Sequence, residues 1–172
     1  YLKTGDDFFR SLARYLAETL HMDYVCIDRL EGDLLSARTV AVYSDGGFES
    51  NVTYTLHDTP CGDVVGKKIC IFPHNVRDLY SQDRVLQEMQ AESYVGITLW
   101  GFDGNPIGLI AIIGKKPLIN PHLAESILNQ VSIRAAAELE RTLVEEALRE
   151  SEGRHRAIVS AMPDTLFIMD KQ

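Results

Sequence analysis

Two runs of sequence decide the fold: Tyr94-Val95-Gly96-Ile97-Thr98-Leu99-Trp100 and Ile107-Gly108-Leu109-Ile110-Ala111-Ile112-Ile113, separated by Phe102-Asp103-Gly104-Asn105-Pro106. Both are rich in β-branched and large apolar residues. The segment between them holds the Gly, Asn and Pro that a tight turn uses, so the stretch predicts a β-hairpin. The second run is apolar on both faces. Such a strand has to be covered on both sides, which places it in the middle of a sheet.

Working back toward the N-terminus, Asp78 to Ala91 predicts a helix with Leu79, Val85, Leu86 and Met89 on its buried side, and Lys68 to Phe72 a short strand closed by Pro73. Thr59-Pro60-Cys61-Gly62-Asp63-Val64-Val65 opens a short helix, with Thr59 as cap and Pro60 at the first position. Asn51–His57, Leu34–Tyr43 and Tyr24–Leu30 read as strands, with a turn at Glu31-Gly32-Asp33 and a loop at Ser44-Asp45-Gly46-Gly47. Phe8, Phe9, Leu12, Ala13, Leu16 and Leu20 form an apolar helical stripe, preceded by Asp6 and Asp7 at the positive end of the helix dipole.

Beyond the hairpin, Leu123, Ile127, Val131, Ala135, Leu139 and Leu143 recur near helical spacing from Pro121 to about Arg156. A helix of that extent is roughly 50 Å long at ~1.5 Å per residue. Two readings stay open: a signalling helix that needs a partner, or a gently curved helix packed on its own domain. The order of elements gives the α+β class: an antiparallel sheet of about six strands with helices on both faces, followed by a long C-terminal signalling helix.

Composition sets limits. The chain has 172 residues, 45% apolar and 24% charged, with a formal charge of −8; that suits one globular domain with an appendage. A net acidic surface repels nucleic-acid phosphates and anionic lipid, so neither is expected as a partner. No apolar run reaches the ~18 residues of a membrane span. The three cysteines Cys26, Cys61 and Cys70 cannot all pair, which favours a reducing, cytoplasmic setting. A start at Tyr1 and a stop after Asp170-Lys171-Gln172 suggest a piece of a longer protein.

The stretches Thr59-Pro60-Cys61-Gly62, Phe72-Pro73-His74-Asn75-Val76, Ser93-Tyr94-Val95-Gly96-Ile97-Thr98-Leu99 and Asp103-Gly104-Asn105-Pro106-Ile107-Gly108-Leu109 resemble the GAF domain, a sensory module, over residues 1–142. Residues 143–156 then form a linker helix. From 157 to 172, within the run Arg154-His155-Arg156-Ala157 to Ile168-Met169-Asp170, the chain resembles the opening helix and first strand of a PAS domain. The resemblance implies a sensory input that binds a small ligand and passes a signal along its C-terminal helix. It also implies a homodimer through the terminal helices and a histidine kinase or diguanylate cyclase further along the parent protein. By the same resemblance, the ligand would face Tyr43, Tyr54, Thr59, Cys61, His74, Arg77 and Thr98.

No catalytic residue set is expected within the chain. Cys61, between Pro60 and Gly62 at a helix start, is either a reactive thiol favoured by the helix dipole or a small side chain packing a turn. Bilin-binding GAF domains commonly carry His after the attaching Cys, where this chain has Gly62; the Asn-Lys signature of cyclic-nucleotide-binding members is absent. One GAF branch reduces free methionine sulfoxide, and Cys61-Gly62 resembles one of its cysteine sites. The segment Gln87–Ser93, where that branch places its nucleophile, holds no cysteine. A ligand-free dimerisation spacer is the remaining alternative. His57, Cys61, Cys70 and His74 match no zinc spacing, so no metal is expected.

Overall fold

A computed structural model describes residues 5–162. The chain divides into two units: Tyr1–Leu139 carries the sheet, and Glu140–Gln172 follows it. The elements of the first run α1 (Gly5–Leu20), β1 (Tyr24–Leu30), β2 (Ser36–Ser44), β3 (Gly47–Phe48), β4 (Thr53–Thr55), α2 (Pro60–Val64), β5 (Ile69–Phe72), α3 (Val76–Leu79), α4 (Arg84–Glu88), β6 (Ser93–Trp100) and β7 (Pro106–Gly114). The last helix, α5 (Pro121–Ala161), begins in the first unit and continues into the second. The PAS-like strand of Thr165–Asp170 lies outside the described residues.

The strands form one antiparallel sheet of seven, in the order β3-β2-β1-β7-β6-β5, with β4 on β2. β7 lies between β1 and β6 and is buried from Gly108 to Gly114, the interior place its two apolar faces require. On one face, α1 packs on β1 and β2 through Phe9, Ala13, Leu16 and Ala17, and α5, which buries Ala124, Leu128, Ala135 and Leu139, brings Leu139 against Gly108 of β7. The approach is close: a Cβ on Gly108 would stand 2.6 Å from the Leu139 side chain. On the other face lie the short helices, where Val64, Val76 and Leu86 share a core with Leu109, Ala111 and Ile113 of β7.

Four details depart from the sequence expectation. The sheet has seven strands, because Gly47-Phe48 turns back onto Tyr43 and Ser44 as a two-residue strand too short for a periodic signal. The single helix expected over Asp78–Ala91 is two helices, since Asp83 caps a new one by accepting from the Val85 and Leu86 amides. Leu79 and Val85 are consequently exposed, leaving Leu86 as the buried anchor. In α5 the buried stripe starts at Ala124 and Leu128; Leu123 is exposed.

Candidate functional site

Between the sheet and the α2–α4 side is a cavity of about 380 Å³. Its sheet wall comes from Tyr24 and Cys26 of β1, Thr39 and Val42 of β2, Tyr94 of β6, and Ala111 and Ile113 of β7. Tyr54 of β4 closes one side; Pro60, Cys61 and Leu86 close the other, with exposed His57, Gln82 and Arg84 at the edge.

Local sequence explains why the helices stop short of filling this space. Thr59 caps α2: its hydroxyl accepts from the Gly62 amide at 3.0 Å and donates to the Leu56 carbonyl at 2.8 Å. Only glycine fits at 62, because a Cβ there would come within 2.1 Å of the Leu56 carbonyl oxygen. α2 then ends after five residues, its last turn tied to the sheet by the Thr98 hydroxyl, which donates to the Val64 carbonyl at 2.7 Å. Gly96 lets Val64 and Tyr94 crowd onto β6; a Cβ there would lie 2.6 Å from the Val64 side chain.

Behind Tyr54, just outside the cavity lining, lies Asp28. It is on the same face of β1 as Cys26, opposite Thr39 of β2, and fully buried. The Tyr54 hydroxyl donates to its Oδ2 at 2.7 Å, while its Oδ1 is buried and has no hydrogen-bond partner among the described residues. Burial pushes the carboxyl up to about 7, a rise the Tyr54 hydrogen bond offsets only in part. Cys61 is buried, accepts from the Tyr94 hydroxyl at 3.2 Å, and is pushed up to about 12 by burial and by the nearby Asp28 charge. Cys26 is raised by burial as well. All three cysteines are free.

Of the residues expected to face a ligand, the structure brings Tyr54, Thr59 and Cys61 together at the cavity. Tyr43 is elsewhere: it pairs with Val25 and packs on Phe48, over which the Arg10 guanidinium lies 4.1 Å from the ring centroid. Thr98 is buried and engaged with Val64. His74 is exposed beside Asn75, and Arg77 lies 4.0 Å from Glu92; neither reaches the cavity. The register explains Tyr43. The β1–β2 ladder shifts between Ile27 and Asp28, so Thr39 and Val42, three residues apart, both face the cavity and Tyr43 faces away. Asp28 escaped the sequence reading. Its signal was an acid at an alternate position of Tyr24, Cys26, Asp28 and Leu30, a series otherwise apolar or aromatic. Among the described residues no cluster of His, Cys, Asp and Glu suits a metal ion.

Residues 4–139 match the GAF domain family. The chain belongs to that family. No curated protein matches the sequence. Among solved structures, the GAF domain from the Acinetobacter phosphoenolpyruvate-protein phosphotransferase is similar, at 15% identity and TM-score 0.66, with 84% of this chain and 87% of that one covered. A type II free methionine-R-sulfoxide reductase from Thermoplasma acidophilum aligns at 18% identity and TM-score 0.62, over 80% of this GAF chain and 93% of the reductase. A bacteriophytochrome from the photosynthetic bacterium R. palustris aligns at 16% identity and TM-score 0.65, over 98% of this chain and 40% of that one. At these identities the likeness is one of fold. No described helix is long and apolar enough to cross a membrane.

Proposed function

We propose that this GAF domain is a non-catalytic sensory module that holds a small molecule between its sheet and α2–α4. The observation that carries the reading is the cavity itself, walled by Tyr54, Cys61, Leu86 and Ala111, with a buried carboxyl beside it. Its volume is at the small end of the ~300–1,000 Å³ typical of ligand sites, and it combines an apolar surface with few polar groups. A thiolate nucleophile is disfavoured here: burial drives the Cys61 thiol away from the ionised form that attack requires. That weighs against sulfoxide reduction by this chain.

The route out of the site runs through β7, whose Ala111 and Ile113 face the cavity while Gly108 meets Leu139 of α5. In this reading a ligand favours one packing of α5 on the sheet, and α5 carries the change to a following PAS domain and a kinase or cyclase output. Dimerisation through α1 and α5 completes the mechanism. A ligand shifts such an equilibrium only by its differential affinity for the two packings.

Native mass spectrometry of the freshly purified chain tests the reading, alongside Ala111→Leu, which fills the cavity from the sheet. A bound mass of a few hundred daltons, lost in Ala111→Leu, is the expected result. A dimer with no added mass, and no small-molecule binding changed by Ala111→Leu, would leave only the dimerisation spacer.

A further inference from the structure

The cavity wall carries a more specific message than its volume. Resting on the ligand-binding reading above, we infer that the ligand is a small, largely apolar ring compound bearing a basic nitrogen, recognised through Asp28. Three observations support this.

The first is the orphaned acceptor. Asp28 Oδ1 is buried without a partner among the described residues, although Oδ2 is satisfied by the Tyr54 hydroxyl. An unpaired buried acceptor costs roughly 1–3 kcal/mol, and native proteins rarely leave one without a use. Once ionised, the carboxylate can only accept, so the partner that would hold it in that form is a donor.

The second is the sign of the local charge. Burial raises Cys26, Cys61, Tyr54 and Tyr94, and the nearby Asp28 charge adds to the rise at each. Asp83, half-buried, also lines the cavity, whereas Arg84 and His57 are exposed, His57 standing 3.1 Å from Asp58. No buried cation balances Asp28 among the lining residues. An anionic ligand would face like charge in a low-dielectric wall; a cationic nitrogen would both supply the missing donor and neutralise the carboxylate.

The third is the surface that remains for the ligand body. Val42, Ala111, Ile113 and Leu86 offer apolar walls, and the Tyr24, Tyr54 and Tyr94 rings add aromatic faces and edges. These suit a flat ring, and their π-faces also tolerate an adjacent cation. Tyr54 couples the parts: it lines the cavity and holds Oδ2 of Asp28, whose carboxyl lies just outside the lining beside Cys26 and Thr39, so the ligand nitrogen would reach Oδ1 past the Tyr54 hydroxyl.

The test uses three probes that share one ring: tryptamine, indole-3-acetate and 3-methylindole. Dissociation constants are measured by isothermal titration calorimetry with the chain and with Asp28→Asn, which keeps the side-chain shape and removes the charge. Tryptamine is expected to bind at least tenfold tighter than indole-3-acetate. Asp28→Asn should abolish that preference, with the fold of the variant checked separately by circular dichroism. Tyr54→Phe, which keeps the ring and removes the hydroxyl on Oδ2, should change the ratio of tryptamine to 3-methylindole affinity. Equal affinity for amine and acid, or a preference that survives Asp28→Asn, would overturn the basic-nitrogen inference while the cavity reading stands. Absence of binding by all three probes, together with no bound mass on the purified chain, would overturn both.

Discussion

The two faces of the sheet are built from the same strands and closed in different ways. On the α1–α5 face the cover is two long helices, and Phe9, Leu16, Leu128 and Leu139 are almost completely buried, as are Val25, Ile27, Ile110 and Ile112 of the strands. On the other face the cover is three helices of four or five residues joined by turns. A helix of one turn presents one or two apolar side chains, so Val64, Val76 and Leu86 act as separate posts and the space between them persists as a cavity. A face closed by long helices is packed throughout, whereas one closed by single turns leaves room for a site.

Truncation should break the comparison most strongly on the filled face. Leu128→Ala is expected to cost about 2–5 kcal/mol in denaturant unfolding, as deletion of a fully buried leucine does. Leu86→Ala, which enlarges an existing cavity, should fall near the lower end of that range and admit bulkier ligands. Equal costs would show the two faces to be equally packed.

The buried carboxyl sharpens the contrast through pH. Folded Asp28 titrates near 7 against 3.8 unfolded, so the native state holds a proton that the unfolded chain has released between those values. Stability should therefore fall as pH rises from about 4 to about 7 and level off above, by up to about 4 kcal/mol from this group. Asp28→Asn should flatten that slope in urea titrations run across the range. A basic ligand should flatten it too, by stabilising the ionised form.

Smaller effects come from the cover. Gly62→Ala should destabilise by about 1–3 kcal/mol, because its methyl meets the Leu56 carbonyl and lifts the start of α2. Thr59→Ala should cost about 1 kcal/mol through loss of the helix cap. Both are read in thermal or urea unfolding, and both should weaken ligand binding more than Leu128→Ala does relative to their stability cost.

The same contrast governs what the sequence revealed. The β6–β7 hairpin, α1 and the α2 cap were legible because each carries a local signature: apolar runs around a Gly/Asn/Pro turn, a helical stripe, Thr before Pro. The cover was not legible as built, since Asp78–Ala91 is periodic enough for one helix while Asp83 and the positive φ of Gln90 impose local stops. Of the residues named from the family pattern, Tyr54, Thr59 and Cys61 line the cavity, whereas Tyr43 faces away from it because the register shift in β2 reverses the facing of that strand. Asp28 went unnoticed because a single acid in a strand reads as solvent-facing until the opposite face is known to be covered.

The most direct test of the account is a methyl-resolved NMR titration of the chain with 3-methylindole. The account predicts shifts concentrated at the methyls of Val42, Val52, Leu86, Ala111 and Ile113, with those of Leu16, Ile112 and Leu128 moving far less. Shifts centred on the α1–α5 face, or no shifts at all, would contradict it.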